Sequence, residues 1–294
     1  MSDRVNYPSP WEKKAAAKKI VNDFANHTGG SAWPSLSRAK VTAGALIRID
    51  DPNQISQKET NLCGPSCFVR SIALDQPETY ARAIADLYEK GSATIGHGGS
   101  RTVLTPSPAL RNYPLPATAG IDQSDWIILA SLRDTPNWFL RYSSVDDSTS
   151  AFTMPDTMVN WFVEAGYTDV RADTNLASRP SLSNAEAASN LLIMGYKVVL
   201  LVSANMLDTS TQDDHSRIPD HWVALTSPIA FQPGREALPP NPRFCAPTQY
   251  KVVPKASLSF RVYTWGKDRP VPDSGVLSTP SFLDNYYGYV ACKW

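Results

Sequence analysis

The chain has 294 residues, and its 28 basic and 28 acidic side chains give a formal net charge of zero at neutral pH. Such a length can bury a substantial core, whereas the balanced charge gives no indication of a nucleic acid or an anionic membrane surface as partner. The chain has no run of about 18 apolar residues, so we expect no membrane span, and its four cysteines are too few for a disulfide scaffold and indicate reduced thiols.

Residues 1–50 are predicted to form a helical extension. Ser9-Pro10-Trp11-Glu12 is a typical helix start, with a capping box and a proline at the first helical position. We expect this helix to end near Asn26. Residues 31–56 are predicted to be an irregular approach to the next helix.

Residues 57–68 carry the candidate chemistry. A helix is predicted over residues 66–74, and Cys63 stands just before it. Backbone N–H groups and the dipole at a helix N-terminus favour the thiolate, the nucleophilic form of cysteine. Gln57, six residues earlier, is an uncharged amide donor for an oxyanion. Cys67 is expected to pack in the core, and it is the alternative nucleophile.

The chain between this stretch and residue 195 is predicted to be mostly helical, with two long loops. One helix opens at residues 75–78 and ends at Gly91. Residues 96–116 are predicted to be a loop that contains His97, and residues 134–153 a second loop. Three further helices are expected: one over 126–132 capped by Ser124, one from Pro155 to Gly166, and one that starts with a Ser183/Glu186 capping box and ends at Gly195.

Strands are predicted mainly in the last third of the chain. Residues 197–203 have an unbroken apolar centre, and residues 258–265 alternate as in a half-buried strand. His221 leads a buried strand that runs to about residue 228, and Val170 lies on a short strand. The C-terminal residues predict a short helix, a turn at Gly288 and a last strand.

Metal and cofactor sites are not expected. Cys63 and Cys67 have no second close Cys/His pair that would complete a zinc set. The polar segment 205–219 contains Asp208, Asp213, Asp214 and His215 without regular spacing, so we interpret it as a solvated loop.

These motifs resemble those of papain-like cysteine hydrolases. Leu62-Cys63-Gly64-Pro65 is similar to the nucleophile motif of double-glycine leader peptidases. The order from this motif to His221-Trp222-Val223-Ala224-Leu225, and then to Tyr263-Thr264-Trp265-Gly266, is similar to cysteine hydrolase toxins that bacteria deliver through type VI and related systems. The resemblance covers about residues 57–294.

The resemblance implies an α+β, papain-like fold. A helical part would carry the nucleophile at a helix N-terminus and pack on an antiparallel sheet that carries the histidine. It implies a hydrolase domain over residues 51–294, with insertions at about 95–120 and 228–256. Cys63 would be the nucleophile, His221 the general base and Gln57 the oxyanion donor.

The third catalytic position departs from the family pattern. Papain relatives often have Asn just before Ser-Trp-Gly, but Tyr263 stands at that point in this chain. Either Thr264 or a backbone carbonyl would then orient His221, or the enzyme works as a Cys-His dyad. By analogy with papain, Trp265 would shield the imidazole from water.

The leading hypothesis is a cysteine peptidase used as a delivered bacterial toxin, with a protein or peptide substrate and a neutralising immunity protein as partner. The N-terminal residues lack an apolar signal core, so we expect synthesis in the cytoplasm and export by a signal-peptide-independent route. The same dyad could serve a peptidoglycan amidase or a Gln/Asn deamidase. The altered third position leaves open a binding module on a papain-like scaffold.

Overall fold

The computed structural model describes residues 8–97, 100–135, 152–178, 180–208, 218–237 and 250–294. Two compact units make up the chain. The first holds residues 1–170, 264–267 and 292–294, and the second holds residues 171–263 and 268–291. Helices prevail in the first unit and a curled antiparallel sheet in the second, so the protein is of the mixed α+β class, as predicted.

The described part of the first unit contains helices and one hairpin. Its elements are α1 (Pro10–Asn26), α2 (Arg38–Asp50), α3 (Cys63–Asp75), α4 (Pro77–Lys90), β1 (Ala93–His97), β2 (Ser100–Leu104), α5 (Pro108–Arg111), α6 (Gln123–Asp134) and α7 (Pro155–Glu164). The predicted capping box of α1 is confirmed, since Ser9 and Glu12 bond to each other's backbone N–H groups. The predicted end of α4 at Gly91 is also confirmed, because this glycine has the left-handed conformation that terminates helices.

Helix α3 forms the centre of the first unit. Its residues from Cys63 to Ala73 are all buried. The Phe68 ring packs against Trp161 and Phe162 of α7, at centroid distances of 5.7 and 5.3 Å. Burial on all sides explains why α3 lacks the one-sided apolar pattern of a surface helix.

The second unit is built on the sheet. Its elements in chain order are β3 (Thr168–Thr174), α8 (Leu182–Ile193), β4 (Lys197–Val202), β5 (His221–Leu225), β6 (Ala230–Ala237), β7 (Tyr250–Thr264), β8 (Lys267–Val271), β9 (Leu277–Ser278), α9 (Thr279–Asn285) and β10 (Tyr286–Lys293). The strand order is β3-β10-β4-β5-β7-β6, and both β8 and β9 pair with β7. Central strands β4 and β5 are antiparallel, with Val202 opposite His221.

Two segments predicted to be irregular contain regular structure. Residues 31–56 include α2, whose Val41, Ala45 and Ile49 recur every four residues and are fully buried. Residues 96–116, predicted to be a loop, include the end of β1, all of β2 and α5. The backbone of His97 therefore belongs to a strand.

Several predicted helix caps and turns are also wrong. Asp122, rather than Ser124, caps α6, and Ser183 forms no capping box because α8 starts one residue after Ser181. Gly288 lies inside the continuous strand β10 instead of at a turn. Part of the proline-rich segment 232–254 belongs to β6 and β7.

Some predictions fall outside the described residues. They concern the centre of the loop over 134–153, the segment with Asp213, Asp214 and His215, and the middle of the insertion over 228–256. Among the described helices, none combines the length and apolar character needed to cross a bilayer.

The conformation of Gly288 yields a test of the sheet. Gly288 has a φ of 111°, and a Cβ there would overlap the carbonyl oxygen of Asp173. Gly288→Ala should therefore lower the free energy of unfolding by about 3 kcal/mol or more, through strain and collision together. Gly195→Ala is the matched control, because Gly195 has a φ of 85° with open space around it, and should cost only about 1 kcal/mol. Equal losses in urea unfolding would contradict the predicted collision.

Candidate active site

The candidate nucleophile lies at the start of the buried helix α3. Cys63 is the first helical residue, and Leu62 before it offers no side-chain cap to the helix. The thiol-bearing residue is 4% exposed. A side chain at this position faces the positive end of the helix dipole, which favours a thiolate.

Gly64 is required by close packing behind the thiol. A Cβ at this position would overlap the side chain of Thr153, which is itself fully buried. Pro65 sits in the first turn, where a helix needs no N–H from it. The Cys-Gly-Pro sequence thus matches the local structure at each of its three positions.

Cys67 is a poorer nucleophile than the sequence alone allowed. It lies one turn further along α3 and is 1% exposed. Burial raises the pKa of its thiol well above the usual value, and the neighbouring Cys63 raises it further. Cys67 therefore stays protonated at neutral pH, which favours Cys63 among the two thiols of this motif.

Gln57 lies in a fixed turn of the same unit. Its carbonyl oxygen accepts hydrogen bonds from the Thr60 backbone N–H at 3.1 Å and from Thr60 Oγ1 at 2.6 Å. The next residue, Lys58, has a φ of 53°, and its N–H donates to Ser56 Oγ at 3.3 Å. Gln57 itself is buried, so both the backbone and the side chain of Gln57 have restricted freedom.

A buried ion pair holds the backbone next to Gln57. The Ser56 N–H donates to Asp125 Oδ2 at 3.0 Å. Asp125 accepts two bonds from the Arg48 guanidinium, Nε to Oδ1 at 3.0 Å and Nη2 to Oδ2 at 2.7 Å. Burial raises the pKa of Asp125 to about 6, so the carboxylate is ionised at neutral pH and bonds as an anion.

Two glycines, Gly44 and Gly266, allow the close contacts around Asp125 and Ser56. A Cβ at Gly44 of α2 would overlap the side chains of Asp122 and Ser124 at the start of α6, so glycine there lets Arg48 reach Asp125. Gly266 has a φ of 73°, and its Cβ would lie 2.7 Å from Ser56 Cβ. The backbone at Ser56 is thus bonded to α6 and packed against Gly266.

A further contact connects the segment between α2 and α3 to helix α3. Arg70 of α3 donates through Nε to Asn53 Oδ1 at 2.8 Å, and the Asn53 N–H donates to Asp51 Oδ1 at 3.0 Å. The segment between α2 and α3 is therefore attached at Asn53 and at Ser56. Two attachments a few residues apart leave little freedom to the backbone that leads to Gln57.

The candidate base lies in the second unit. His221 is the first residue of β5, a strand that is buried at every position. Burial lowers the pKa of its imidazole to about 4, so the ring is neutral at neutral pH and can accept a proton. Asp220 before it accepts a bond from the Ala204 N–H at 2.7 Å, and so fixes the turn after β4.

Tyr263 projects from the sheet face opposite to that of His221. It lies opposite Ala224 in the β5–β7 pair, and directly paired residues project from the same sheet face. His221 is three residues before Ala224 on the same strand, and so projects from the other face. Of the alternatives considered from the sequence, Thr264, a backbone carbonyl and a dyad without a third residue remain.

The structure places Cys63 and Gln57 in the first unit and His221 in the second. Sequence reasoning missed Arg48 and Asp125. The signal available was a charge within each apolar run: Arg48 stands between Ile47 and Ile49, and Asp125 stands directly before Trp126. Within the described residues, no three His, Cys, Asp or Glu side chains are grouped as a metal would require.

Comparisons with protein-family models, with curated proteins and with solved structures found no match to this chain.

The ion pair can be separated from its contact with Ser56 by mutation. Asp125→Ala leaves the buried Arg48 guanidinium with Asp122 Oδ2, 3.7 Å from its Nη1, as the remaining carboxylate, and should lower the free energy of unfolding by about 3 kcal/mol. The double variant Arg48→Met/Asp125→Leu removes both charges and should recover most of that loss. Neither variant supplies an acceptor for the Ser56 N–H, so its hydrogen exchange should be faster in both. Urea unfolding and NMR-detected exchange measure the two effects, and a Ser56 amide that stays protected in the double variant would show that Asp125 is not its anchor.

Burial of His221 predicts a specific loss of stability in acid. Its folded-state pKa of about 4 lies below the usual 6.5, so the unfolded chain binds the proton more tightly. The resulting contribution is complete above about pH 6.5 and is lost as pH falls towards 4, with a magnitude of about 3 kcal/mol. Unfolding by urea at pH 7.5 and at pH 4 should show this loss in the wild type, and a loss smaller by about that amount in His221→Asn. Parallel losses in the two proteins would contradict the buried neutral state.

Proposed function

We propose that this protein is a papain-like cysteine hydrolase that cleaves an amide bond through a thioester. Cys63 is the nucleophile, His221 the general base and Gln57 the side-chain donor to the oxyanion. The observation that carries the proposal is the thiol at the uncapped start of the buried helix α3, preceded in the same unit by a glutamine in a fixed turn.

The reaction starts with transfer of the Cys63 proton to the neutral imidazole of His221. The thiolate attacks the carbonyl carbon, and the developing oxyanion accepts bonds from the Gln57 amide and from the Cys63 backbone N–H. Each such donor contributes roughly 10²–10³ in rate. Rigid attachment of the backbone at Ser56 supports this role, because an oxyanion donor works best when it is already in place.

The amide bond then breaks, and the proton on His221 passes to the departing nitrogen. The acyl group remains on the Cys63 sulfur as a thioester. Water attacks this thioester after giving a proton to His221, the carboxylic acid leaves, and the thiol recovers its proton. The chain thus uses its own acid and base for both halves of the reaction.

We assign peptide bonds of proteins as the substrate and a delivered bacterial toxin as the biological role. The support for both is the resemblance of the Cys-Gly-Pro stretch, the His-Trp-Val-Ala-Leu strand and the Tyr-Thr-Trp-Gly turn to such toxins. A toxin of this kind requires an immunity protein in the cell that makes it. Peptidoglycan amidases and deamidases form the same acyl-enzyme, so the compartment of action separates them from a peptidase of cytosolic targets.

Growth of a bacterium that expresses the protein tests this function. Wild type, Cys63→Ala and His221→Ala are each produced in cytosolic and exported forms. We expect the cytosolic wild type to arrest growth and both variants to permit it. Cys63→Ala lacks the proposed nucleophile, and His221→Ala lacks the proposed base. Arrest by the exported form only would replace the peptidase with a cell-wall amidase. Arrest by all proteins alike would overturn the hydrolase and favour a binding module.

Cys67→Ala is the matched control for the nucleophile. Cys67 lies on the same helix and is buried as deeply, so its loss tests the packing cost of removing a thiol from α3. We expect Cys67→Ala to keep the growth arrest. A thiol-directed probe at neutral pH should label Cys63 ahead of Cys67, Cys245 and Cys292, and preferential labelling of Cys67 would reassign the nucleophile.

A further inference from the structure

A groove of about 640 Å³ runs along helix α2 in the first unit. This volume is that of a typical site for a small ligand or a few residues of a peptide. Lys40 and Arg48 of α2 line it together with Lys58, the residue that follows Gln57 in the chain. One lining residue of the groove, Lys58, therefore belongs to the same turn as Gln57.

The charge of the groove is positive. Asp122 is its only acidic lining residue among those described, and its Oδ1 already accepts bonds from the Ser124 N–H and Oγ. Arg48 is neutralised by Asp125, and its Nη1 also lies 3.7 Å from Asp122 Oδ2. Lys40 and Lys58 are exposed, and within the described ranges neither forms an ion pair. Two ammonium groups without a carboxylate of their own favour an anionic ligand.

The groove also offers apolar surface. Ile47 of α2 is 51% exposed, and it shares the groove with Pro116 and Ile121. An apolar wall beside two cations fits a ligand with both aliphatic and acidic parts, as in a polypeptide that contains Glu or Asp. A bare inorganic anion would leave the apolar wall exposed to water.

The position of Lys58 connects this groove to the proposed chemistry. Consecutive Cα atoms are about 3.8 Å apart, so the Lys58 backbone starts one residue from the Gln57 turn. That backbone is held by its bond to Ser56 Oγ. An extended substrate advances about 3.3 Å per residue, so a chain whose carbonyl is bound at Gln57 reaches the groove within a few residues.

We propose that this groove binds a carboxylate-bearing segment of the substrate polypeptide within a few residues of the cleaved bond, with Lys40 and Lys58 as specificity-determining residues. The identification of the bound polypeptide as a substrate rests on the proposed function. Binding itself requires only the groove. The carboxylate comes from an acidic side chain or from a chain end, and both present the same group to the lysines.

Fluorescence anisotropy with the Cys63→Ala protein measures binding without cleavage. The probes are three fluorescein-labelled peptides of Ala and Leu: one with two Glu residues and an amidated end, one with Gln in place of Glu, and the Gln peptide with a free carboxyl end. At low ionic strength we expect the Glu peptide to bind about tenfold more tightly than the amidated Gln peptide. Lys40→Ala/Lys58→Ala should remove about tenfold of the Glu peptide's affinity, since exposed ion pairs contribute a few-fold each.

Lys19→Ala is the control, because Lys19 is an exposed lysine of α1 paired with Asp23 and outside the groove. It should bind the Glu peptide as the parent protein does. A gain for the free carboxyl end that depends on the two groove lysines would support the groove and assign the carboxylate to a chain end. Equal binding of all peptides, no binding, or an equal loss in Lys19→Ala would overturn the proposal.

The two proposals fail in different ways. Cleavage by the wild type without preference for acidic peptides would remove the groove from substrate selection and leave the hydrolase intact. Lysine-dependent binding together with growth arrest by Cys63→Ala would leave the groove intact and remove the hydrolase.

Discussion

The buried ion pair between Arg48 and Asp125 is the interaction on which the first unit's candidate site depends. It joins α2 to α6, and the same carboxylate holds the Ser56 N–H. Replacing a buried ion pair by apolar side chains is often neutral or stabilising, so stability alone is a weak reason to keep it. A carboxylate can satisfy a guanidinium and a backbone N–H together, whereas an apolar residue can satisfy neither. Fixing the backbone next to Gln57 is therefore the better explanation for two charges in this core.

Helix α3 meets two opposing requirements. A nucleophile must be reachable, but a residue with precise geometry must be held by packing. The position of the proposed nucleophile Cys63 suits both, because it is the terminal residue of a helix that is buried from Cys63 to Ala73. Gly64 allows Thr153 to pack directly behind it, and Arg70 of the same helix bonds to Asn53 in the segment that leads to Gln57. The thiol and the glutamine are thus positioned by one set of contacts within one unit.

Local signals explain which features the sequence could predict. The α1 capping box, the end of α4 at Gly91 and the apolar strand β4 depend on residues that are neighbours in the chain, and the structure confirms all three. Arg48 and Asp125 are 77 residues apart, so nothing in either neighbourhood indicates the partner. The turn predicted at Gly288 was wrong for a related reason. A glycine usually indicates a turn, but here it accommodates a carbonyl oxygen from another strand, and only the pairing of the strands reveals that.

Burial shifts the pKa values of Asp125 and His221 in opposite directions, and both groups keep at neutral pH the charge state that their proposed roles need. Burial raises the pKa of Asp125 to about 6 and lowers that of His221 to about 4. Above pH 6 the carboxylate is charged, as its bonds to Arg48 and Ser56 require, and the imidazole is neutral, as a proton acceptor must be. Protonation of Asp125 would remove the anion that accepts from the Ser56 N–H, so acid weakens both the position of the proposed oxyanion donor and the proposed base.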